Sequence, residues 1–251
     1  MTPKLLLASA ALATALSAQA GVSVTGSSLT YTQNFDSLVS TGSLTFVNDT
    51  TLSGWSLFRS ATGALTVTAG TGTSNTGGFY SFGGTGSSDR ALGSVASGST
   101  GTITYALALT NDTGADLSGF VLSFAGEQWR NGGSAAVQSL SVQYGFGAAY
   151  TAATTALTSF DSVVNTTTAA AVDGNGVGRV AGLGGTVNTT WGAGQTLWIT
   201  WIDVDNTGGD HGLAIDDVSF SAVTAVPEPG TYAMLLAGLG AVGFVARRRR
   251  G

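Results

Sequence analysis

Residues 102–109 read Thr-Ile-Thr-Tyr-Ala-Leu-Ala-Leu, and their alternation decides the fold class. Ile103, Tyr105, Leu107 and Leu109 fall on one face, and Thr104, Ala106 and Ala108 on the other. A period of two belongs to a strand, because successive side chains point to opposite sides of a sheet. Working outward, similar short runs rich in Thr, Val, Ile and aromatic residues occur at 29–33, 44–47, 55–60, 64–69, 79–82 and 91–95 before it. They continue at 120–125, 140–146, 160–164, 179–183, 196–204 and 213–221 after it. Clusters of Gly, Ser, Asn and Asp separate them, which is turn chemistry. The pattern predicts an all-β sandwich or barrel. Residues 148–157 are the one weak helical candidate, and their Thr content favours loop or strand. The Gly-rich stretches 70–78 and 83–88 read as loops; no G-x-x-x-x-G-K cradle is present.

Composition narrows the function classes. Only 9% of the 251 residues are charged, against about 25% in an ordinary soluble domain. Nine basic residues face fourteen acidic ones, and the only basic cluster is at the C-terminal end, which argues against nucleic acid as a partner. Cysteine is absent, so disulfides, thiol nucleophiles and Cys-type zinc sites are excluded. The single histidine, His211, excludes a His-rich metal site.

Both ends read as targeting segments. Residues 1–20 carry Lys4, a 12-residue apolar run over 5–16 and the small-x-small pattern Ala18-Gln19-Ala20. These are the three parts of a signal peptide, and the mature chain is expected to start at Gly21. Residues 226–251 carry Val226-Pro227-Glu228-Pro229, a 16-residue apolar run over 231–246, and Arg247, Arg248, Arg249 and Arg250. As a helix that run reaches about 24 Å, short of the ~30 Å hydrocarbon core. It is expected to be a marginal transmembrane helix, with arginines that hold the end on the cytoplasmic side. Gly238-Leu239-Gly240-Ala241-Val242-Gly243 matches G-x-G-x-x-G, but no βαβ unit surrounds it, so no dinucleotide site follows. The expected domain is 21–225. It keeps four basic residues against thirteen acidic ones, a net charge of −9.

The tail resembles the PEP-CTERM sorting signal, on the strength of the Pro-Glu-Pro turn, the apolar run and the Arg cluster in that order. The resemblance implies an exosortase-type processing enzyme as partner and transient residence in the inner membrane. It further implies a Gram-negative, exopolysaccharide- or biofilm-forming host, with the product at the cell surface or outside the cell. Five internal pieces resemble a family of extracellular bacterial β-sandwich domains: residues 79–83, 89–93, 126–130, 173–175 and 211–220. The last also resembles the closing strand of MAM-type adhesion modules. This resemblance implies a jelly-roll-like β-sandwich and says little about ligands.

Four constellations could carry chemistry. Asp203-x-Asp205-x-Thr207-Gly208 copies the first half of a calcium loop, and Asp210, Asp216 and Asp217 could complete an oxygen shell for a structural Ca²⁺. Position 12 is Ala214, so this is not an EF-hand; the competing reading is a hairpin of turn-capping carboxylates. Glu127 and Arg130 flank Trp129, which reads as an ion pair and, in a glycosidase reading, as a general acid lacking a visible partner. His211 could serve as a triad base, but no G-x-S-x-G elbow accompanies it, and an exposed turn residue, or one hydrogen-bonded to a neighbouring Asp, is the simpler reading. Trp55, Trp129, Trp191, Trp198 and Trp201 could stack sugars, although large aromatics usually fill cores. Trp198 and Trp201 must point to opposite faces of one strand. The expected function is that of a non-enzymatic secreted or surface protein of the extracellular or biofilm matrix. A carbohydrate-binding module of the envelope or matrix is the alternative, and a hydrolase stands third; exopolysaccharide is a further expected partner.

Overall fold

The structure, a computed structural model, describes residues 21–225 and, with helical backbone, Met234, Ala237, Gly238, Leu239, Val245, Arg247 and Arg248. The expected signal peptide over 1–20 and most of 226–251, including Val226, Pro227, Glu228, Pro229, Arg249 and Arg250, lie outside the described residues. Among the described residues, no helix is long and apolar enough to cross a membrane.

The chain is an all-β sandwich. Its first strands are β1 (Val22–Val24), β2 (Thr30–Gln33), β3 (Ser43–Thr45), β4 (Trp55–Arg59), β5 (Thr66–Gly70), β6 (Gly78–Phe82) and β7 (Ala91–Val95). The long central strands follow: β8 (Ile103–Asn111), β9 (Leu117–Asn131), β10 (Ser139–Phe146) and β11 (Thr155–Asp161). Last come β12 (Ala170–Ala171), β13 (Arg179–Trp191), β14 (Thr196–Asp203) and β15 (Gly212–Thr224). The weak helical candidate resolves into a single 3₁₀ turn, Tyr150–Ala152, and the start of β11.

One sheet has six strands in the order β1-β8-β14-β10-β11, with β4 sharing the β1 edge of β8. The other has nine, in the order β12-β9-β15-β7-β6-β5-β3, with β13 lengthening the β9 edge and β2 pairing β15 beside β7. Pairing is antiparallel except for β1 with β8 and β5 with β6.

The alternation in β8 does what its pattern demands. Ile103, Tyr105, Leu107 and Leu109 are wholly buried between the sheets. They meet Leu197, Ile199 and Trp201 of β14 in the same layer, and Phe120, Leu122 and Phe124 of β9 from the opposite one. Trp201 stacks on Trp55 with ring centroids 5.4 Å apart and takes Phe124 edge-on at 5.6 Å.

Each sheet also carries a small apolar layer on its outer side. On the six-stranded sheet, Ala106, Ala108, Ala153 and Trp198 pack beneath the stacked rings of Phe58 and Tyr150. On the nine-stranded sheet, Tyr80, Phe82 and Trp129 stack in a row against Ala91, Val95 and Ala214. Gly174 closes that layer: a Cβ there would stand 2.2 Å from the Trp129 ring, so only a residue without a side chain lets the 173–176 turn lie on the indole.

Candidate functional site

The acidic stretch at the end of β14 does not gather into one site. Asp203 is 2% exposed and lies between the sheets. It accepts the Ser94 hydroxyl of β7, which also bonds the Tyr105 hydroxyl of β8. Burial pushes its carboxyl up to about 8. Asp210 accepts the Asn206 amide at 2.8 Å; burial, with the Asp205 carboxylate beside it, pushes it to about 6. Asp205 itself is exposed.

Asp216 and Asp217 stand on β15, where the register with β9 shifts between Asp216 and Ser219. Asp217 holds φ 49° and pairs with Arg179 at 2.6 Å. Asp216 accepts the Asp217 amide at 2.7 Å, and burial pushes it to about 8. Among the described residues, no three carboxylates or imidazoles stand close enough to hold a metal ion. The carboxylates expected to share a calcium ion, Asp203, Asp205, Asp210, Asp216 and Asp217, do not form one shell among the described residues.

The expected Glu127–Arg130 pair is corrected. Glu127 is fully buried on β9, accepts the Trp129 indole N–H at 2.8 Å, and faces Arg179 of β13 at 3.6 Å. Burial pushes it to about 7, against the pull of Arg179. Arg130 turns elsewhere and donates Nη1 to the carbonyls of Gly72 and Thr73, at 3.2 and 3.0 Å. The partner across the sheet, Arg179, is 52 residues away in sequence, beyond what local spacing can show.

His211 is buried, not an exposed turn residue. Its Nδ1 accepts the Gly132 amide at 2.8 Å, so Nε2 carries the proton and donates to Asn165 at 3.0 Å. Burial lowers its pKa. Neither ring nitrogen meets a carboxylate, and the ring serves to tie three loops together.

All five tryptophans are between 0% and 4% exposed, so none offers a sugar platform. Trp198 and Trp201 do face opposite sides of β14, the first in the outer layer and the second in the main core.

Sequence alone missed one feature. The loops 70–78 and 83–88, with residues 40–42, enclose a cleft of about 520 Å³ at the β3–β5–β6 end of the nine-stranded sheet. Arg90 lines it and is 3% exposed. Its Nε donates to Ser81 Oγ at 3.0 Å and its Nη2 to the Ser81 carbonyl. The rest of the lining is Gly, Ala, Ser, Thr and Tyr80, with no carboxylate.

With that geometry in place, comparison with known proteins adds one firm point. Residues 225–250 match the PEP-CTERM protein-sorting motif. The chain carries that motif, and the motif implies export across the membrane toward the cell surface. No curated protein matches the chain. Among solved structures it aligns with the CBM22-1 xylan-binding domain of Xyn10C from Paenibacillus barcinonensis. The identity is 13%, over 78% of this chain and 95% of that one, with a TM-score of 0.31. That score is too low for the likeness to carry an argument about fold or ligand.

Proposed function

We propose that this chain is a non-catalytic protein of the cell surface or extracellular matrix, exported through its signal peptide and sorted by its C-terminal segment. The observation that carries the proposal is the junction at the end of β15. The last core strand ends at Thr224, and the matched sorting motif begins at residue 225. A closed sandwich is thus joined directly to a processing signal. The expected order is a precursor held transiently in the inner membrane by residues 231–246, then cleavage near Pro227-Glu228-Pro229 by an exosortase-type enzyme. The repeated passage of the chain from one sheet to the other after β8 supports the jelly-roll-like form of the sandwich. The engagement of Glu127, Asp203, Asp216 and His211 in packing and hydrogen bonds supports a structural rather than a catalytic role for them.

The other end of the chain supports export in the same terms. Gly21 lies against β8 so closely that a Cβ would meet Ala108 at 2.9 Å. Cleavage after Ala20 therefore leaves a first residue that belongs to the sheet. The intact mass of the exported protein should begin at Gly21.

The deciding experiment replaces Pro227, Glu228 and Pro229 by Ala in a host that has the sorting enzyme. Full-length protein should accumulate in the inner-membrane fraction, whereas the wild-type chain loses residues 231–251. A triple variant that matures and fractionates like wild type would overturn the sorting role.

A further inference from the structure

The cleft around Arg90 carries chemistry that sorting does not use. A guanidinium withdrawn from water needs a counter-charge or a full set of acceptors, because burying an unpaired charge is costly. Among the described residues, the Arg90 guanidinium has no carboxylate in ion-pair contact and only part of its donors bonded. Its two side-chain hydrogen bonds go to one neutral residue, Ser81, and among the described residues Nη1 makes none. The ion pairs among the described residues belong to Arg179 alone. Asp36 accepts the Arg90 backbone amide at 3.0 Å, and it and Asp89 reach the guanidinium only through their field, which burial outweighs in pulling its pKa down.

The walls narrow the class of ligand. They present hydroxyls that can both donate and accept, such as Thr41, Thr71, Thr73, Ser74 and Thr85, around that single cation. The one aromatic in the lining, Tyr80, is buried, and its hydroxyl is already bonded to Ser74 and the Thr76 carbonyl. An apolar peptide side chain finds no surface to cover. A polyol with one carboxylate matches the set, since a guanidinium takes a carboxylate through two parallel N–H bonds. Arg130, through its bonds to Gly72 and Thr73, holds one wall in place before any ligand arrives.

We propose that this cleft binds an acidic saccharide, with a uronate carboxylate on Arg90 and the sugar hydroxyls on the surrounding Ser and Thr side chains. The inference stands apart from the sorting role: a failed titration leaves the location of the protein untouched, and a failed fractionation leaves the cleft.

The test is calorimetric titration of the full chain in mild detergent with tetragalacturonate and with its methyl ester, which has the same shape without the charge. The acid should bind at least about tenfold more tightly than the ester. Arg90→Gln should abolish that difference. Because Arg90 also supports Ser81, a second pair of variants, Asn75→Glu and Ser88→Glu, places a like charge on the two loops, at exposed residues that do not line the cleft, without touching the core. Each should weaken the acid by about tenfold and leave the ester unchanged, with an unaltered melting curve. Equal affinity for acid and ester, no binding of either, or displacement of the tetramer by equimolar inorganic phosphate would each overturn the proposal.

Discussion

Trp55 and Trp201 are stacked, both are fully buried, and they differ in one atom's surroundings. The Trp55 indole N–H donates to the Tyr31 hydroxyl at 2.8 Å, whereas that of Trp201 has no partner among the described residues. A buried N–H left unpaired costs roughly 1–3 kcal/mol. Replacing Trp201 by Phe therefore removes a penalty along with some packing, while the same change at Trp55 removes packing and a made bond. Trp55→Phe should destabilise by about 1 kcal/mol more than Trp201→Phe in urea melts. Equal losses would mean that the Trp201 N–H is satisfied in solution. The sequence could place these rings only as far as their faces: parity separates Trp198 from Trp201, but whether an outer face is covered depends on Phe58 and Tyr150, from other elements.

At the scale of the element, β15 explains itself. Its residues in the main core are Leu213 and Ile215, then Val218, Phe220 and Ala222, so the period of two breaks between Ile215 and Val218. The break is the bulge: Asp216 still pairs with Ala125 and Ser219 with Ser123, so Asp217 and Val218 together face the single residue Phe124. Asp217 sits at φ 49°, a region that Asn and Gly enter readily and a β-branched residue enters at a cost of order 1–3 kcal/mol. Its ion pair with Arg179 is partly exposed, at 57% and 32%, and is worth at most about 1 kcal/mol. Asp217→Asn and Asp217→Gly should thus stay within about 1 kcal/mol of wild type, while Asp217→Val should lose about 2 kcal/mol or more. An innocuous valine would mean that the strand re-registers. Regular alternation made most strands legible, and this break is legible as well. The edges are less so. The long strands β9 and β13 extend through Gly119, Gly126, Gly184 and Gly185, where glycine suggests turns and pairing with neighbours carries the strand on. β11 lies earlier than its apolar residues suggest, because partners on β10 fix its register. The cleft was invisible for the same reason: its walls are three separate loops that local spacing cannot join.

For the whole molecule, the buried carboxyls set a direction of pH dependence. Asp203 and Asp216 titrate at about 8, Glu127 at about 7 and Asp210 at about 6, each raised chiefly by burial. In the unfolded chain all four ionise near pH 4. From about pH 4 upward the native state therefore binds more protons than the unfolded one, and stability falls as pH rises until each native pKa is passed. A carboxyl protonated in one state and ionised in the other contributes about 1.4 kcal/mol per pH unit. His211 works the other way, but only at low pH. Its native pKa is lowered from 6.5, so it costs stability as pH drops through 6.5 and is silent above it. Net charge reinforces the carboxyls, since a domain at −9 repels itself more as further acids ionise. Between pH 6.5 and 8 every contribution points the same way. The melting temperature should fall across that window. The slope should be shallower in Asp203→Asn, which keeps an acceptor for the Ser94 hydroxyl and has no proton to lose. That variant should melt above wild type at pH 8 and close to it at pH 5. Circular dichroism melts at several pH values and constant ionic strength supply the check. A melting temperature that is flat or rising from pH 6.5 to 8 would show that these carboxyls are ionised in the fold, and that water or a cation reaches them.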